Sequence, residues 1–329
     1  MTGNVLLEIN DLAVEFFSHR RKIHAVRGLD LTVLPGQFHA LVGESGAGKT
    51  VTSFTILRLL PPSAAVTRGS VVFQDHNLLT LSEDLMRNLR GREISMIFQE
   101  PSKYLNPSMK AADQVIEGIR FHLGYSEKAA YQWTRELFQR VGLDGGRTAM
   151  SRYPHEFSGG MRQRLMIAMA VACNPSLLIA DEPTTALDVG VQRQIINLLQ
   201  ELRGEKNMAI LYVTHDIGVV RYAADYVSVI YTGRIVESSP KDLLFANPRH
   251  PYTRLLLESI PSRDKRGSRL QGVPGSIPNP ENIPPGCSFH PRCPIAQPIC
   301  AETLPPMVKI ESAHRCACFF PGKDLGLPG

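Results

Sequence analysis

The chain has 329 residues, of which 43% are hydrophobic and 20% charged, so its composition is that of a globular protein and excludes a disordered one. The net charge of +5 is small and gives no support to a nucleic-acid groove, so we expect no nucleic-acid partner. The longest apolar run, residues 165–173, is about half of what a membrane span needs, and the N-terminus lacks a signal-peptide pattern. We therefore expect a chain that is neither secreted nor membrane-spanning.

The first third of the chain reads mainly as strands. Residues 5–35 alternate apolar and polar in short bursts, which predicts antiparallel strands joined by turns. A buried strand is predicted at residues 38–43, followed by a glycine loop and a helix over residues 49–60 that two prolines then end. Further strands are predicted at residues 70–73 and 94–98.

The middle of the chain is mostly helical before strands return. Residues 111–173 have a helical pattern, broken by turn residues at 142–154. Residues 176–181 and 208–216 are apolar strands separated by a helix at 192–203. This order predicts a βαβ unit of a parallel sheet that is covered on both faces.

Proline and glycine become frequent from residue 240 onward. We therefore predict two domains, residues 1–245 and residues 246–329. The first would contain a helical part at about residues 100–172.

A glycine-rich motif carries the first chemical signal. Residues 43–50, GESGAGKT, match G-x-x-x-x-G-K-[ST] between a predicted strand and a predicted helix. The glycines let backbone N–H groups approach phosphate, and a helix N-terminus favours an anion. Lys49 can reach the β- and γ-phosphates, and the Thr50 hydroxyl can ligate Mg²⁺. The motif therefore predicts a nucleoside triphosphate site.

A second motif, LLIADE at residues 177–182, is a buried strand that ends in two carboxylates. The carboxyl ends of strands face the ligand crevice in a doubly wound sheet. Asp181 is expected to hold Mg²⁺ directly or through water, and Glu182 can accept a proton from the attacking water.

A third motif, FSGGM at residues 157–161, opens the last helix of the helical region. A serine and two glycines at a helix start form a second anion-binding nest. A single nucleotide site does not need two anion-binding nests. The two nests could therefore bind different nucleotides, with each nucleotide held between the two subunits of a dimer.

Together with MIFQEP, DEPTTALD and VTHD, these motifs resemble those of ABC-type ATPases in order and spacing, over roughly residues 5–240. The resemblance implies an α/β fold with an ABC-type P-loop ATPase core, an antiparallel β subdomain and a helical subdomain. A small C-terminal Cys-rich extension would follow. ATP and Mg²⁺ are the ligands that it implies.

The resemblance also implies roles for individual residues. Phe16 is the candidate for stacking on adenine, and Gln99, Glu182 and His215 are the expected catalytic residues, His215 as the switch histidine. Mg²⁺ is expected at Thr50, Gln99 and Asp181, and Asp188 belongs to the dimer-contacting D-loop. The signature that binds the opposing subunit's ATP is Ser158, Gly159, Gly160 and Met161, where methionine replaces the usual glutamine. The other expected ATP contacts are Gly43, Glu44, Ser45, Gly46, Ala47, Gly48, Lys49, Thr50 and Val51.

Cysteine is concentrated beyond residue 286. Four of these residues have the spacing C-x5-C-x6-C-x17-C and can hold a [4Fe–4S] cluster, with zinc or no metal as the alternatives, namely Cys287, Cys293, Cys300 and Cys318. Together with NPRHPYTRLLLESIP at residues 247–261, this set resembles the ATP-binding subunits of dipeptide and oligopeptide importers. In that branch the four cysteines are associated with an iron–sulfur cluster.

The branch implies an ATPase subunit that powers two membrane permease subunits importing dipeptides or oligopeptides. A second ATPase subunit, identical or paralogous, and indirectly a substrate-binding protein would be its partners, at the cytoplasmic face of the inner membrane. Nickel, a metallophore or an antimicrobial peptide is the alternative cargo. A DNA- or ribosome-acting ABC ATPase is disfavoured, because residues 99–158 contain neither a long coiled-coil insertion nor a zinc module. A cassette without hydrolysis is disfavoured by Glu182 and His215.

Overall fold

The computed structural model describes residues 5–18, 21–185, 187–259, 272–311 and 313–325. Ala186 of the DEPTTALD motif lies outside the described residues. The described residues form two compact units. Unit 1 takes its residues from Met1–Leu6, Leu34–Gln37 and Thr80–Tyr212, and unit 2 takes its residues from Leu7–Val33, Phe38–Leu79 and Val213–Gly329.

The described chain contains both strands and helices. The strands are β1 (Leu7–Ser18), β2 (Arg21–Val33), β3 (Phe38–Val42), β4 (Ala64–Phe73), β5 (His76–Asn77), β6 (Ile94–Ile97), β7 (Leu177–Asp181), β8 (Ala209–Thr214), β9 (Tyr226–Tyr231), β10 (Arg234–Pro240), β11 (Val308–Glu311) and β12 (His314–Cys316). The helices are α1 (Lys49–Ile56), α2 (Glu83–Leu89), α3 (Pro101–Tyr104), α4 (Ala111–Leu123), α5 (Glu127–Arg140), α6 (Arg147–Ser151), α7 (Gly159–Val171), α8 (Val189–Lys206), α9 (Ile217–Ala223), α10 (Lys241–Ala246), α11 (Pro251–Glu258) and α12 (Pro298–Glu302).

Unit 2 contains an antiparallel sheet with the strand order β2-β1-β4-β5. The pairing of β1 with β2 places Leu7 opposite Val33 and Phe16 opposite Ile23. The antiparallel strands predicted for residues 5–35 are therefore confirmed. The apolar members of the alternating pattern, among them Leu12 and Val14, are fully buried, which is why one register is favoured.

A second group of strands in unit 2 has the order β11-β12-β10-β9-β3. β3 pairs with β9 in parallel, and β10 pairs antiparallel with β9 and with β12. The Cys-rich tail contributes two short strands and the helix α12. Its backbone polar groups are satisfied partly by pairing with β10.

A buried carboxylate on β10 fixes this tail. Glu237 and His314 are both fully buried, and Glu237 Oε1 is 2.7 Å from His314 Nε2. The same carboxylate accepts hydrogen bonds from the backbone N–H groups of Arg249 and His250, at 2.6 and 2.8 Å. A buried carboxylate without such partners would be costly, so the cluster fixes the positions of β10, β12 and the start of α11 together.

Helix α1 ends at Ile56, earlier than the residue 60 predicted from the prolines. Arg58 has φ 52°, and the Leu59 N–H donates to the Phe54 carbonyl at 2.8 Å. This is the bonding of a left-handed C-terminal cap, which closes the helix before the prolines are reached.

Unit 1 contains the parallel pair β6 and β7, with Met96 opposite Ile179. All five residues of β7 are buried, as the continuous apolar run predicts. The helical region is confirmed by α4, α5 and α7, with the short α6 inside the predicted break. The predicted helix at residues 192–203 is longer, because the Asp188 side chain accepts from the Val191 N–H at 2.9 Å and so caps α8 at residue 189.

Among the described helices, none combines the length and the apolar character that a bilayer crossing requires. The domain boundary near residue 245 stays a prediction. Unit 2 contains described residues on both sides of it.

Candidate nucleotide-binding site

The glycine-rich loop connects β3 to α1 within unit 2. Gly46 and Gly48 have φ values of 79° and 100°, a backbone region that glycine enters without strain. A Cβ atom on Gly48 would lie 2.5 Å from the backbone oxygen of Ala25 on β2. The loop conformation therefore requires glycine at this position of the motif.

The Lys49 side chain is held against the loop. Its Nζ donates to the carbonyl oxygens of Gly43 and Glu44, at 2.9 and 3.0 Å. Only 5% of Lys49 is exposed, so its ammonium group lies within the loop. A positive charge at this position favours binding of an anion to the loop. Thr50 and Val51 follow in the first turn of α1, each half-buried.

Glu44 of this loop has two partners from the C-terminal part of the chain. Its backbone N–H donates to the Tyr252 hydroxyl at 3.0 Å, and its carboxylate accepts two hydrogen bonds from Arg292, at 2.7 and 3.0 Å. The sequence places Tyr252 in the segment at residues 247–261 and Arg292 beside Cys293, but it predicts no contact of either residue with the loop. They lie 208 and 248 residues from Glu44, and no local pattern signals contacts of that range.

His215 and Phe16 also belong to unit 2. The Gly43 N–H donates to the Thr214 carbonyl at 3.4 Å, which places the end of β8 beside the start of the loop. His215 follows directly and is exposed. Phe16 lies half-buried on β1, opposite Ala64 of β4. Its adenine-stacking role stays a prediction.

The acidic strand end lies in unit 1. Asp181 is the last residue of β7 and is only 1% exposed. Glu182 follows with φ 45°, and its Oε2 accepts hydrogen bonds from Gln99 Nε2 and Thr185 Oγ1, each at 3.0 Å. The structure thus brings the Gln99 amide and the Glu182 carboxylate together, because both follow neighbouring parallel strands.

The SGG motif begins α7, also in unit 1. Ser158 Oγ accepts from the Met161 N–H at 3.3 Å, and Gly159 and Gly160 form the first turn. A Cβ on Gly160 would be 3.4 Å from a methyl carbon of Val191, so the starts of α7 and α8 lie close together. Asp188, which caps α8, is exposed beside them. The predicted anion nest and D-loop aspartate therefore occupy one surface of this unit.

The four predicted cluster cysteines share one small cavity in unit 2. The cavity has a volume of about 20 Å³, enough for about one water molecule. The Cys287 N–H donates to the Cys300 carbonyl at 2.8 Å, which holds the two sides of the cavity together. The cavity is lined by His250, Pro251, Cys287, Phe289, His290, Cys293, Ile295, Cys300, Pro305, Cys318, Phe319 and Phe320.

Three of these thiols have a raised pKa. Burial raises the pKa of Cys293 to about 11 and that of Cys318 to about 12, and burial also raises the pKa of Cys287. In the described part of the chain, no three side chains of His, Cys, Asp or Glu are grouped so that they could hold a metal ion. In the described residues the four cysteines are therefore not arranged as a preformed metal site, and the predicted [4Fe–4S] cluster has no support from this geometry.

Comparison with protein families gives two matches. Residues 26–185 match the family described as ABC transporter. Residues 236–300 match the family described as oligopeptide/dipeptide transporter, C-terminal region.

Individual proteins are similar over nearly the whole chain. A putative peptide import ATP-binding protein of Brucella ovis is 46% identical, over 97% of this chain and 98% of the relative. The oligopeptide transport ATP-binding protein AppD of Bacillus subtilis is 45% identical, over 96% and 97%. A solved structure, the dimer of the ATP-binding cassette MJ0796 in a post-hydrolysis state with ADP and Pi, is 26% identical with a TM-score of 0.65. The matched part covers 72% of this chain and 99% of that one.

Proposed function

The chain belongs to the family of ABC transporter ATP-binding proteins, and on that premise we propose that it hydrolyses ATP to power import of dipeptides or oligopeptides through a membrane permease. The observation that carries the peptide assignment is the match of residues 236–300 to the oligopeptide/dipeptide C-terminal region. Relatives that are about as long as this chain and are named for peptide import support it.

ATP and Mg²⁺ are the ligands of such a protein. Gly46 and Gly48 adopt positive φ, which would allow backbone N–H groups of the loop to bind phosphate. Lys49 would supply the positive charge. Thr50, Asp181 and Gln99 would hold Mg²⁺, and Phe16 would stack on adenine. The other residues that we assign to ATP are Gly43, Glu44, Ser45, Ala47 and Val51.

Glu182 would act as the general base in hydrolysis. Its carboxylate already accepts hydrogen bonds from Gln99 and Thr185, and these fix the direction in which it can receive a proton from water. Gln99 would orient that water, and His215 would stabilise charge on the γ-phosphate.

The working form would be a dimer of ATPase subunits. In it the Ser158–Met161 nest binds the ATP held by the loop of the other subunit, and Asp188 contacts that subunit. The Ser158 cap and the exposed Asp188 support this, as does the dimeric state of the similar cassette MJ0796. A paralogous ATPase, two permease subunits and a substrate-binding protein would complete the transporter, with this chain at the cytoplasmic face of the inner membrane.

We assign the thiol-lined cavity to a [4Fe–4S] cluster held by Cys287, Cys293, Cys300 and Cys318. Four thiols that face one cavity are the donor set of such a cluster. Cluster binding would require the cysteines to act as thiolates. The cluster would then fix a tail that is poor in regular structure.

The hydrolytic role is tested by Glu182→Gln in the transporter purified from membranes through a tag on this chain. Loss of a general base is expected to lower ATP turnover by about 10²- to 10⁴-fold while ATP binding persists. Glu205→Gln is the matched control, because that exposed carboxylate forms an ion pair with Arg140 at the surface. Retained steady-state hydrolysis by Glu182→Gln would refute the base assignment.

The cargo is tested in cells that lack the endogenous protein and express either wild-type chain or Glu182→Gln. Radiolabelled dipeptide and oligopeptide should accumulate with the wild-type chain and not with the variant. Accumulation of radioactive nickel or a metallophore complex under the same control, without peptide uptake, would replace the peptide assignment by the alternative cargo.

A further inference from the structure

The carboxylate of Glu44 is neutralised by an arginine from the Cys-rich tail. Arg292 Nη1 and Nη2 donate to its two oxygens at 2.7 and 3.0 Å, a two-bond geometry that orients both groups. The Arg292 side chain is only 4% exposed, against 28% for Glu44. Nη1 of Arg292 is also 3.2 Å from the Tyr231 hydroxyl, and its guanidinium lies 5.8 Å from the ring centres of Tyr231 and Phe289.

Arg292 is charged in this position, because a guanidinium stays protonated in proteins and its partner here is a carboxylate. A permanent positive charge therefore faces an acidic residue of the phosphate-binding loop.

The backbone of Glu44 is fixed by a second residue of the C-terminal part. The Tyr252 hydroxyl accepts from the Glu44 N–H at 3.0 Å, and the Tyr252 side chain is fully buried. Its ring centre is 4.7 Å from that of Tyr231 and 5.3 Å from that of Phe289, so the aromatic rings that surround Arg292 also support Tyr252. The amide and the carboxylate of Glu44 are thus both held by the same cluster.

A free carboxylate in this loop would oppose its ligand. Glu44 follows Gly43 directly, in the stretch that the motif assigns to phosphates, and ATP is strongly anionic. Two like charges at short range in a partly buried site repel one another much more than in water. Contacts that neutralise the Glu44 carboxylate and hold it away from the ligand therefore favour ATP binding.

We propose that Arg292 and Tyr252 are positioning residues for ATP binding, which hold Glu44 so that its carboxylate is turned away from the phosphates. This inference rests on the proposed function and adds a role for the C-terminal extension within it. Arg292 directly precedes Cys293, and the residues 287–293 contribute Cys287 and Cys293 to the thiol-lined cavity. The same short segment therefore forms one wall of the cavity and controls the phosphate-binding loop.

The test compares MgATP binding by calorimetry for the full chain and for Arg292→Gln, Arg292→Lys, Glu44→Gln and the double variant Arg292→Gln/Glu44→Gln. Coupling between two sites is typically about 5- to 150-fold in affinity, and we expect about a tenfold higher Kd for Arg292→Gln. The double variant should regain most of the affinity because no carboxylate is left to repel phosphate. Arg292→Lys, which keeps the charge but not the two-bond geometry, should lie between wild type and Arg292→Gln.

In hydrolysis assays of the assembled transporter, Arg292→Gln should raise the KM for ATP and leave kcat at saturating ATP nearly unchanged. Glu311→Gln is the matched control, because it breaks an exposed ion pair with Arg249 in the same extension without touching Glu44. Its KM and Kd should equal those of the wild type.

Equal Kd values for Arg292→Gln and wild type, or no recovery in the double variant, would overturn the inference. If circular dichroism shows that Arg292→Gln is unfolded, Arg292→Lys and Tyr252→Phe replace it in the test. Each is expected to raise the Kd for MgATP. A wild-type chain that fails to bind ATP would instead overturn the proposed function, so the two failures are distinguishable.

Discussion

Two alanine substitutions in the same loop separate backbone strain from steric collision. Gly46 and Gly48 both have positive φ, so alanine at either position forces an L-residue into the left-handed region. At Gly46 nothing lies within 4 Å of the added Cβ, whereas at Gly48 the Cβ would be 2.5 Å from Ala25 O. Gly46→Ala is therefore the matched control for Gly48→Ala.

The magnitudes follow from these distances. The left-handed backbone alone costs an L-residue about 1–2 kcal/mol, which is the expected loss of unfolding free energy for Gly46→Ala. A contact of 2.5 Å with a backbone oxygen cannot be relieved by a rotamer change, and overpacking of this kind costs about 1–3 kcal/mol more. The total for Gly48→Ala is then about 2–5 kcal/mol, because either β2 or the loop must shift.

The assay is urea denaturation of the nucleotide-free chain, followed by circular dichroism. Nucleotide is omitted because both glycines belong to the predicted ATP site, and a change in ligand affinity would add to the measured stability. Equal free energies of unfolding for the two variants would refute the reasoning, since the close contact with Ala25 O exists at Gly48 and not at Gly46.

Two further predictions concern a buried histidine and the thiol-lined cavity. Burial lowers the pKa of His39 to about 4 from 6.5, so the unfolded chain binds the proton more tightly and this contribution to stability is lost as the pH falls from about 6.5 to about 4. Urea denaturation should show a loss of about 2 kcal/mol between pH 7 and pH 5 that is missing in His39→Gln, and equal losses in both proteins would contradict it. For the cavity, anaerobically purified protein should contain roughly four irons and four acid-labile sulfides per chain, absent after Cys287→Ser or Cys300→Ser. One zinc and no iron would replace the cluster by a zinc site.

Much of the fold follows from patterns within short stretches of sequence. The strand–loop–helix at residues 38–56 and the buried strand β7 are predictable because runs of apolar residues and the positions of glycine act over a few residues. The ends of helices were less well predicted. Ile56 ends α1 because Arg58 adopts a left-handed conformation, which an arginine in sequence does not signal.

The chemical identity of the candidate site was likewise accessible from motifs. Residue types and spacing identify Lys49, Asp181 and Glu182, and the resemblance to ABC-type ATPases identifies Gln99. Their roles stay proposals, but the contact between Gln99 and Glu182 gives the proposed base a defined orientation. That contact joins residues 83 positions apart and depends on β6 lying beside β7.

The contacts of the glycine-rich loop with Tyr252 and Arg292 could not be predicted from the motifs. Nothing in the spacing of the cysteines places Arg292 on Glu44 or Tyr252 on the Glu44 amide, since these contacts span 248 and 208 residues. Local patterns encode backbone dihedrals and which face of an element is apolar, and they therefore supplied the elements and the phosphate-binding motif. Which distant side chains meet depends on strand order and on packing of the whole core, and these arise only when the chain is folded.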